Sequence, residues 1–208
     1  MRKKPEAEHL LYLLTRILEE KKGLVIYGPP GSLRTRLALL IAYNSRPFLY
    51  IGTGRHARLK KLPKEAKVFQ TMSFYSELLK VFEVLGETRA GDCRTIVLDE
   101  FLANIIPYRA VLKESYIMRM ALTEIQIFTS IIENSGKVIT VCGEDQRTGG
   151  PLGLRYIRLL KPYLLRLKVV KKEVILEERE LADPNILLDR NRIELNKMIE
   201  VCEAWNKP

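Results

Sequence analysis

The sequence predicts an α/β fold in which a mainly parallel central sheet lies between two layers of helices. Short apolar runs alternate with segments of helical periodicity, and each run suits a strand that is buried on both faces. Such alternation implies right-handed crossovers and a doubly wound, three-layer arrangement. The chain has 208 residues, of which 47% are hydrophobic, so it is long and apolar enough to bury one core.

The first half of the chain contains three helical segments and three apolar runs. The opening helix has leucine or isoleucine at positions 10, 13, 14, 17 and 18, which lie on one face, and Gly23 ends it. Ser73 is expected to cap the third helix, because a serine hydroxyl can accept a hydrogen bond from the first turn. We expect helices over 6–21, 35–43 and 73–85, and strands over 24–27, 47–51 and 67–70.

The second half begins with a strand that delivers Asp99 and Glu100 at its carboxyl end. A glycine-rich loop is expected over 143–153, and two later strands are expected to pair as a hairpin at the sheet edge. We expect strands over 95–98, 137–142, 163–169 and 174–178, and a long helix over 108–134 that ends at Gly136.

The end of the chain is predicted to be a separate element. Asp183-Pro184 is typical of a helix start, with Asp at the cap and Pro in the first turn. Residues 1–180 are therefore expected to form the core domain, and residues 181–208 a C-terminal amphipathic helix. Its apolar face either packs on the core or docks on a partner.

Composition excludes several classes of protein. Three cysteines at wide spacings suit neither a disulfide framework nor a zinc site, and two isolated histidines suit neither zinc nor a charge-relay triad. No run of about 18 apolar residues is present, and the basic N-terminus has no small-residue cleavage site after it. We therefore expect a soluble, cytoplasmic protein with no membrane partner.

The net charge of +10 makes a polyanionic partner plausible. Its distribution is uneven: residues 150–172 contain seven Lys or Arg and no acid, and residues 55–67 contain six Lys or Arg and one acid. The alternative is a solvated basic surface without a partner.

A degenerate phosphate-binding loop follows the first strand. A nucleotide-triphosphate loop has the spacing G-x-x-x-x-G-K-[ST], which supplies backbone N–H groups, a cation for the outer phosphates and a hydroxyl for Mg²⁺. Here leucine replaces the second glycine and arginine replaces the lysine, and Asp99 has the place of the carboxylate that holds Mg²⁺ together with Thr35. The alternative is a relic loop that still folds but binds sulfate or nothing. The candidate nucleotide-binding residues are Gly28, Pro29, Pro30, Gly31, Ser32, Leu33, Arg34 and Thr35.

On these motifs the chain resembles the RecA superfamily, in particular archaeal RadA, RadB and related RadA paralogues. The stretch IYGPPGSLRTRLAL resembles the nucleotide loop, FLYIGTGRHARLKKL the next strand and helix, and TIVLDE the Mg²⁺-holding strand. The family's fifth strand, its DNA-facing loop and the strands after that loop are resembled by the stretch KVITVCGEDQRTGGPLGLRYIRLLKPYLLRL. The resemblance implies a RecA-like P-loop core with ATP and Mg²⁺ as cofactors.

The departures from the family concern catalysis. The place of the glutamate that polarises the attacking water reads Gly52-Thr53-Gly54-Arg55, and the phosphate-sensing glutamine is replaced by Val141 or Cys142. Glu100 is the remaining candidate for a general base. The site thus lacks the family's lysine, glutamate and glutamine, and these three losses favour weak or absent ATPase activity.

DNA binding is the second activity that the resemblance implies. The leading hypothesis is a DNA-binding accessory factor in homologous recombination or DNA repair, with single-stranded DNA and a RadA-type recombinase as partners. One alternative is an active DNA-dependent ATPase, and another is a pseudo-ATPase subunit that docks on a protein without binding DNA. The candidate DNA-binding residues are Arg55, Arg58, Lys60, Lys61, Arg147, Arg155 and Arg158.

Overall fold

The computed structural model describes residues 7–53, 66–90 and 94–204. Helices and strands alternate along most of the chain, as predicted. The helices are α1 (Ala7–Lys21), α2 (Arg34–Asn44), α3 (Phe74–Ala90), α4 (Glu114–Glu133), α5 (Leu154–Ile157) and α6 (Leu195–Ala204). The strands are β1 (Gly23–Gly28), β2 (Phe48–Thr53), β3 (Ala66–Thr71), β4 (Thr95–Asp99), β5 (Lys137–Gly143), β6 (Tyr163–Val170), β7 (Glu173–Arg179) and β8 (Leu187–Glu194).

All eight strands belong to one sheet, in the order β3-β2-β4-β5-β1-β6-β7-β8. The strands from β3 to β6 in this order pair in parallel, and β7 and β8 continue the sheet with antiparallel pairing. The predicted α/β class with a mainly parallel sheet is confirmed. The loop-bearing strand β1 lies inside the sheet, with β5 on one side and β6 on the other.

Helices cover both faces of the parallel part of the sheet. One apolar core joins side chains of β1, β4 and β5 to α3 and α4, and a second core on the other face joins the sheet to α1, α2 and α6. Within β1, Val25 and Tyr27 enter the first core, and Leu24 and Ile26 enter the second. A strand buried on both faces must be apolar at every position, which explains why these runs could be recognised in the sequence.

The long helix begins later than predicted. Residues Ile106–Ala110 form a short 3₁₀ turn, and α4 starts at Glu114 rather than at position 108. Lys113 has extended backbone dihedral angles, so the α-helix cannot continue through it. The other end is close to the prediction, because α4 ends at Glu133 and a left-handed residue, Ser135, follows it.

The predicted hairpin is present as β6 and β7, but it is not at the sheet edge, because β8 pairs with the outer side of β7. The predicted helix start at Asp183-Pro184 is wrong as well. The Asp183 carboxylate accepts a hydrogen bond from the Asn185 N–H, which makes a turn, and β8 then pairs antiparallel with β7. The helix begins only at Leu195, and Met198 on α6 is buried in the second core. The sequence over 187–194 does not alternate between apolar and polar residues, so it is the pairing with β7 that outweighs the helix-start signal.

The part of the chain that the structure describes contains no helix that is long and apolar enough to cross a membrane.

Candidate nucleotide site

The predicted phosphate loop connects the carboxyl end of β1 to the first turn of α2. Gly28 has φ of 154°, and a Cβ atom at this position would lie 2.0 Å from the carbonyl oxygen of Leu167. The neighbouring strand β6 therefore leaves no room for a side chain here. Gly31 and Leu33 have left-handed backbones, with φ of 80° and 66°, and Leu33 directly precedes α2. The loop thus makes a tight turn that points the start of the helix at the sheet edge.

The two predicted Mg²⁺ ligands are brought together. The Thr35 hydroxyl lies 3.0 Å from both carboxylate oxygens of Asp99, which is fully buried at the end of β4. Strand β5 separates β1 from β4, so this contact crosses an intervening strand. Carboxyl ends of parallel strands share one edge of the sheet, and this places the hydroxyl and the carboxylate side by side.

Sequence reasoning missed Tyr50, which is also part of this site. Its hydroxyl donates a hydrogen bond of 2.6 Å to Oδ2 of Asp99. Burial, together with the Asp99 charge, raises the pKa of Tyr50 far above its usual range, so the phenol stays protonated and remains a donor. A Cβ atom at residue 52 would lie 2.6 Å from the Tyr50 ring, so Gly52 provides the space for that ring. The available signal was a tyrosine inside a fully buried strand, because its hydroxyl requires a partner.

The Arg34 side chain crosses the carboxyl ends of β5 and β4. Its guanidinium donates a hydrogen bond to the carbonyl oxygen of Cys142, and Nη2 lies 3.4 Å from Oε1 of Glu100. Glu100 has a left-handed backbone, with φ of 64°. The candidate cation for the phosphates and the candidate general base are therefore paired with each other in this structure.

Ser32 provides a buried polar group in the loop. Its hydroxyl has no hydrogen-bond partner among the residues that the structure describes, and its side chain is almost fully buried. Its backbone N–H donates to the Pro29 carbonyl at 3.3 Å. The first N–H groups of α2 have no partner within the helix and carry the positive end of its dipole. An oxyanion beside this helix start would suit both features.

Cys142 is one of the two residues predicted at the position of the phosphate-sensing glutamine, and its thiol is unreactive. Burial raises the pKa of its thiol to about 12, and the nearby Arg34 charge offsets only part of this effect. The thiol is therefore protonated at neutral pH and is a poor nucleophile. In the described segments, no group of three or more His, Cys, Asp or Glu side chains is arranged to hold a metal ion.

A second buried polar cluster lies close to this edge of the sheet, between α3 and α4. Oε2 of Glu77 accepts hydrogen bonds from Asn104 at 2.8 Å and from Thr71 at 3.4 Å. Glu124 on α4 is fully buried beside Glu77. Burial raises the pKa of both carboxyl groups, and at Glu124 the neighbouring Glu77 raises it further.

The predicted DNA-binding residues differ in what they contact. Arg147 is exposed on the loop after β5, where the Asp145 carboxylate accepts hydrogen bonds from the backbone at 147 and 148. Arg155 pairs with Glu114, and Arg158 donates to backbone carbonyl groups, including that of Leu181 at 3.1 Å. Arg155 and Arg158 therefore stabilise local structure. The other four, Arg55, Arg58, Lys60 and Lys61, lie outside the described residues.

No family model matches this chain, and no curated protein matches it. The functional argument therefore depends on the residues and on their geometry.

Proposed function

We propose that this chain is a RecA-like, ATP-binding core similar to RadA and RadB paralogues, which acts as a DNA-binding accessory factor in homologous recombination or DNA repair. Its ATPase activity is weak or absent. The observation that carries the proposal is the contact between Thr35 and Asp99 across the phosphate loop. The contact supports the proposal because a hydroxyl and a carboxylate that lie side by side offer the oxygen ligands that Mg²⁺ prefers.

The residues present fit a magnesium-nucleotide complex. Thr35 would bind the metal through its hydroxyl, and Asp99 would hold it through water. A bound Mg²⁺ neutralises phosphate charge and orients the phosphate chain. The buried Ser32 hydroxyl and the first N–H groups of α2 are suitable donors for phosphate oxygens. These groups support binding, whatever the rate of hydrolysis.

Weak turnover follows from the groups that surround the loop. Arg34 is a bulkier cation than lysine, and it bonds to the Cys142 carbonyl and faces Glu100. No carboxylate stands at Gly52, where the resemblance places the water-polarising glutamate. Loss of a general base or of a preorganised charge costs about two to four orders of magnitude in rate.

The two alternatives are less well supported by the contacts. An active ATPase that uses Glu100 as its base requires this carboxylate to leave the Arg34 guanidinium. A subunit that docks through its C-terminal helix requires an available apolar face on α6, but Met198 on that helix is buried against the core.

The test is ATP binding measured by isothermal titration calorimetry, with and without Mg²⁺. We expect the wild-type protein to bind, and we expect Asp99→Ala and Thr35→Ala to remove the Mg²⁺-dependent part of the affinity. Thr123→Ala is the matched control, because this threonine is exposed on α4 and donates only locally, to the Arg119 carbonyl. Absence of binding by a folded wild-type protein would contradict the nucleotide part of the proposal.

A further inference from the structure

The outer strands β6, β7 and β8 have two chemically different faces. One face belongs to the second apolar core beneath α1 and α6, to which it contributes Leu165, Leu167, Val174, Leu176 and Ile193. The other face has five cationic side chains, which we call the basic sheet face. Its members are Arg166 and Lys168 on β6, Arg179 on β7, and Arg190 and Arg192 on β8.

A single buried carboxylate organises this basic sheet face. The Glu177 side chain is 2% exposed, and it bonds to Arg179 and lies 2.6 Å from Arg190. Arg166 and Lys168 approach the same carboxylate at 3.6 and 3.7 Å. Four cations thus surround one acid.

Three further acids only partly balance the charge, and one of them is Glu194, which ends β8 on the same face as Arg190 and Arg192. Glu144 accepts a hydrogen bond from Nε of Arg166 at 3.2 Å, and Glu173 lies 3.8 Å from Arg192. Lys171 and Lys172 extend the positive region at the exposed turn between β6 and β7. Cations therefore outnumber acids on this surface.

The arrangement leaves cationic groups available to an external anion. The side chains of Lys168, Arg190 and Arg192 are 31%, 43% and 54% exposed, whereas Glu177 is buried beneath them. A guanidinium that bonds to Glu177 through one edge can donate to a phosphate through its other N–H groups. Because Glu177 already orders Lys168 and Arg190, binding an anion to these side chains costs less conformational entropy.

The basic sheet face is adjacent to the phosphate loop. Arg166 is paired in register with Tyr27, one residue before Gly28, and the carbonyl of Leu167 approaches Gly28. Arg179 also has a buried Nε–H group that lacks a partner among the described residues. A polyanion on this face would therefore lie beside a nucleotide in the loop.

We propose that the basic sheet face is the surface that binds single-stranded DNA, through its phosphates and without reading its sequence. This proposal rests on the DNA-binding part of the proposed function and gives it a location that differs from the loop of Arg147. The face is three strands wide, about 10 Å at the usual strand spacing, and a flexible single strand can bring several successive phosphates onto an area of this size. Contacts to phosphates would be sequence-independent.

The experiment measures fluorescence anisotropy of a labelled single-stranded oligonucleotide with the full chain over a salt series from 50 mM. The test variant is Lys168→Gln/Arg190→Gln. The matched control is Arg16→Gln/Lys197→Gln, which removes the same charge from exposed positions on α1 and α6. Thermal denaturation followed by circular dichroism checks that each variant folds.

We expect the test variant to bind about ten- to a hundredfold more weakly at 50 mM salt. The slope of log affinity against log salt concentration should become shallower by about 1.4, which corresponds to two lost phosphate contacts. The control should match the wild-type protein. If the test variant does not fold, Arg192→Glu replaces it, because Arg192 is more than half exposed and is not one of the four cations around Glu177.

The outcomes separate this inference from the proposed function. One contrary result is that the wild-type protein binds DNA and both double variants weaken that binding equally, and another is that neither variant weakens it. Either result would overturn the assignment of DNA binding to the basic sheet face and would show that other residues bind DNA. If the test variant loses affinity for ATP but keeps its affinity for DNA, the basic sheet face contacts the nucleotide rather than DNA, and the inference is overturned. No binding by the wild-type protein at 50 mM salt would refute the DNA half of the proposed function itself.

Discussion

The hydroxyl of Tyr50 donates a hydrogen bond of 2.6 Å to the carboxylate of Asp99, and both side chains are buried. The bond joins the neighbouring strands β2 and β4 at the edge of the sheet where the phosphate loop lies. Asp99 accepts from Thr35 at the start of α2 and from Tyr50 within the sheet. The tyrosine thus compensates part of the cost of burying a carboxylate.

Tyr50→Phe should destabilise the protein by about 1–3 kcal/mol, because it removes a donor from a buried charged acceptor while keeping the ring. Guanidinium-induced unfolding measures the loss. Tyr75→Phe is the control, since Tyr75 is 69% exposed on α3, and its free energy of unfolding should be unchanged. Equal effects of the two substitutions would show that the hydrogen bond to Asp99 contributes nothing.

Glu100→Gln should raise the affinity for Mg²⁺-ATP by roughly two- to fivefold, because it removes the carboxylate that faces Arg34 and would repel phosphate. Calorimetric titration of ATP measures the change. Glu83→Gln, which breaks an exposed ion pair with Lys80, is the control. A large fall in ATP turnover without any gain in affinity would instead support Glu100 as the general base.

Gly28→Ala should destabilise the protein by about 3 kcal/mol or more, because the new methyl group would meet the Leu167 carbonyl at 2.0 Å. Gly86→Ala makes the same chemical change on α3, where nothing lies within 4 Å of the new atom. That control should stabilise the protein by about 0.5–1 kcal/mol. Thermal melting compares the two, and similar melting temperatures would contradict the close approach of β6 to the loop.

Glu77 and Glu124 should make the free energy of unfolding fall as pH rises above the usual titration range of a glutamate. Burial raises the pKa of both carboxyl groups above their unfolded values, so the unfolded chain releases protons that the folded chain keeps. Their contribution is complete below the unfolded pKa, near 4.3, and it is lost as pH rises through the folded values.

Glu124→Gln tests this pH dependence, since an amide of similar shape cannot ionise. Urea unfolding between pH 5 and pH 9 should give a flatter profile for this variant than for the wild-type protein. Glu133→Gln, at an exposed position on the same helix, should keep the wild-type slope. Parallel profiles for all three proteins would show that the buried carboxyl groups do not control stability in this range.

The parallel sheet could be predicted because its strands are buried on both faces, so their sequences are continuous apolar runs. The meeting of Thr35 and Asp99 followed from the spacing of the loop and from the common edge of parallel strands. Strand β8 could not be recognised in this way. It lies at the sheet edge, its residues are mostly exposed, and only its pairing with β7 decides between strand and helix.

Side-chain partners were the least predictable part of the site. Tyr50 and Asp99 are 49 residues apart, and Arg34 and Glu100 are 66 residues apart, so each pair depends on the completed sheet. The sequence showed that Arg34 replaces lysine, but it gave no sign that the guanidinium turns towards β5. That orientation depends on the nearby Cys142 carbonyl and on the left-handed backbone of Glu100.

The position of β1 in the sheet also has a consequence for biosynthesis. Its two neighbours are β5 and β6, which begin at Lys137 and Tyr163, more than a hundred residues downstream. During translation, β1 remains without lateral partners until most of the polypeptide has left the ribosome. The phosphate loop therefore forms late, and nascent chains that stall before Lys137 expose an apolar strand to chaperones and to aggregation.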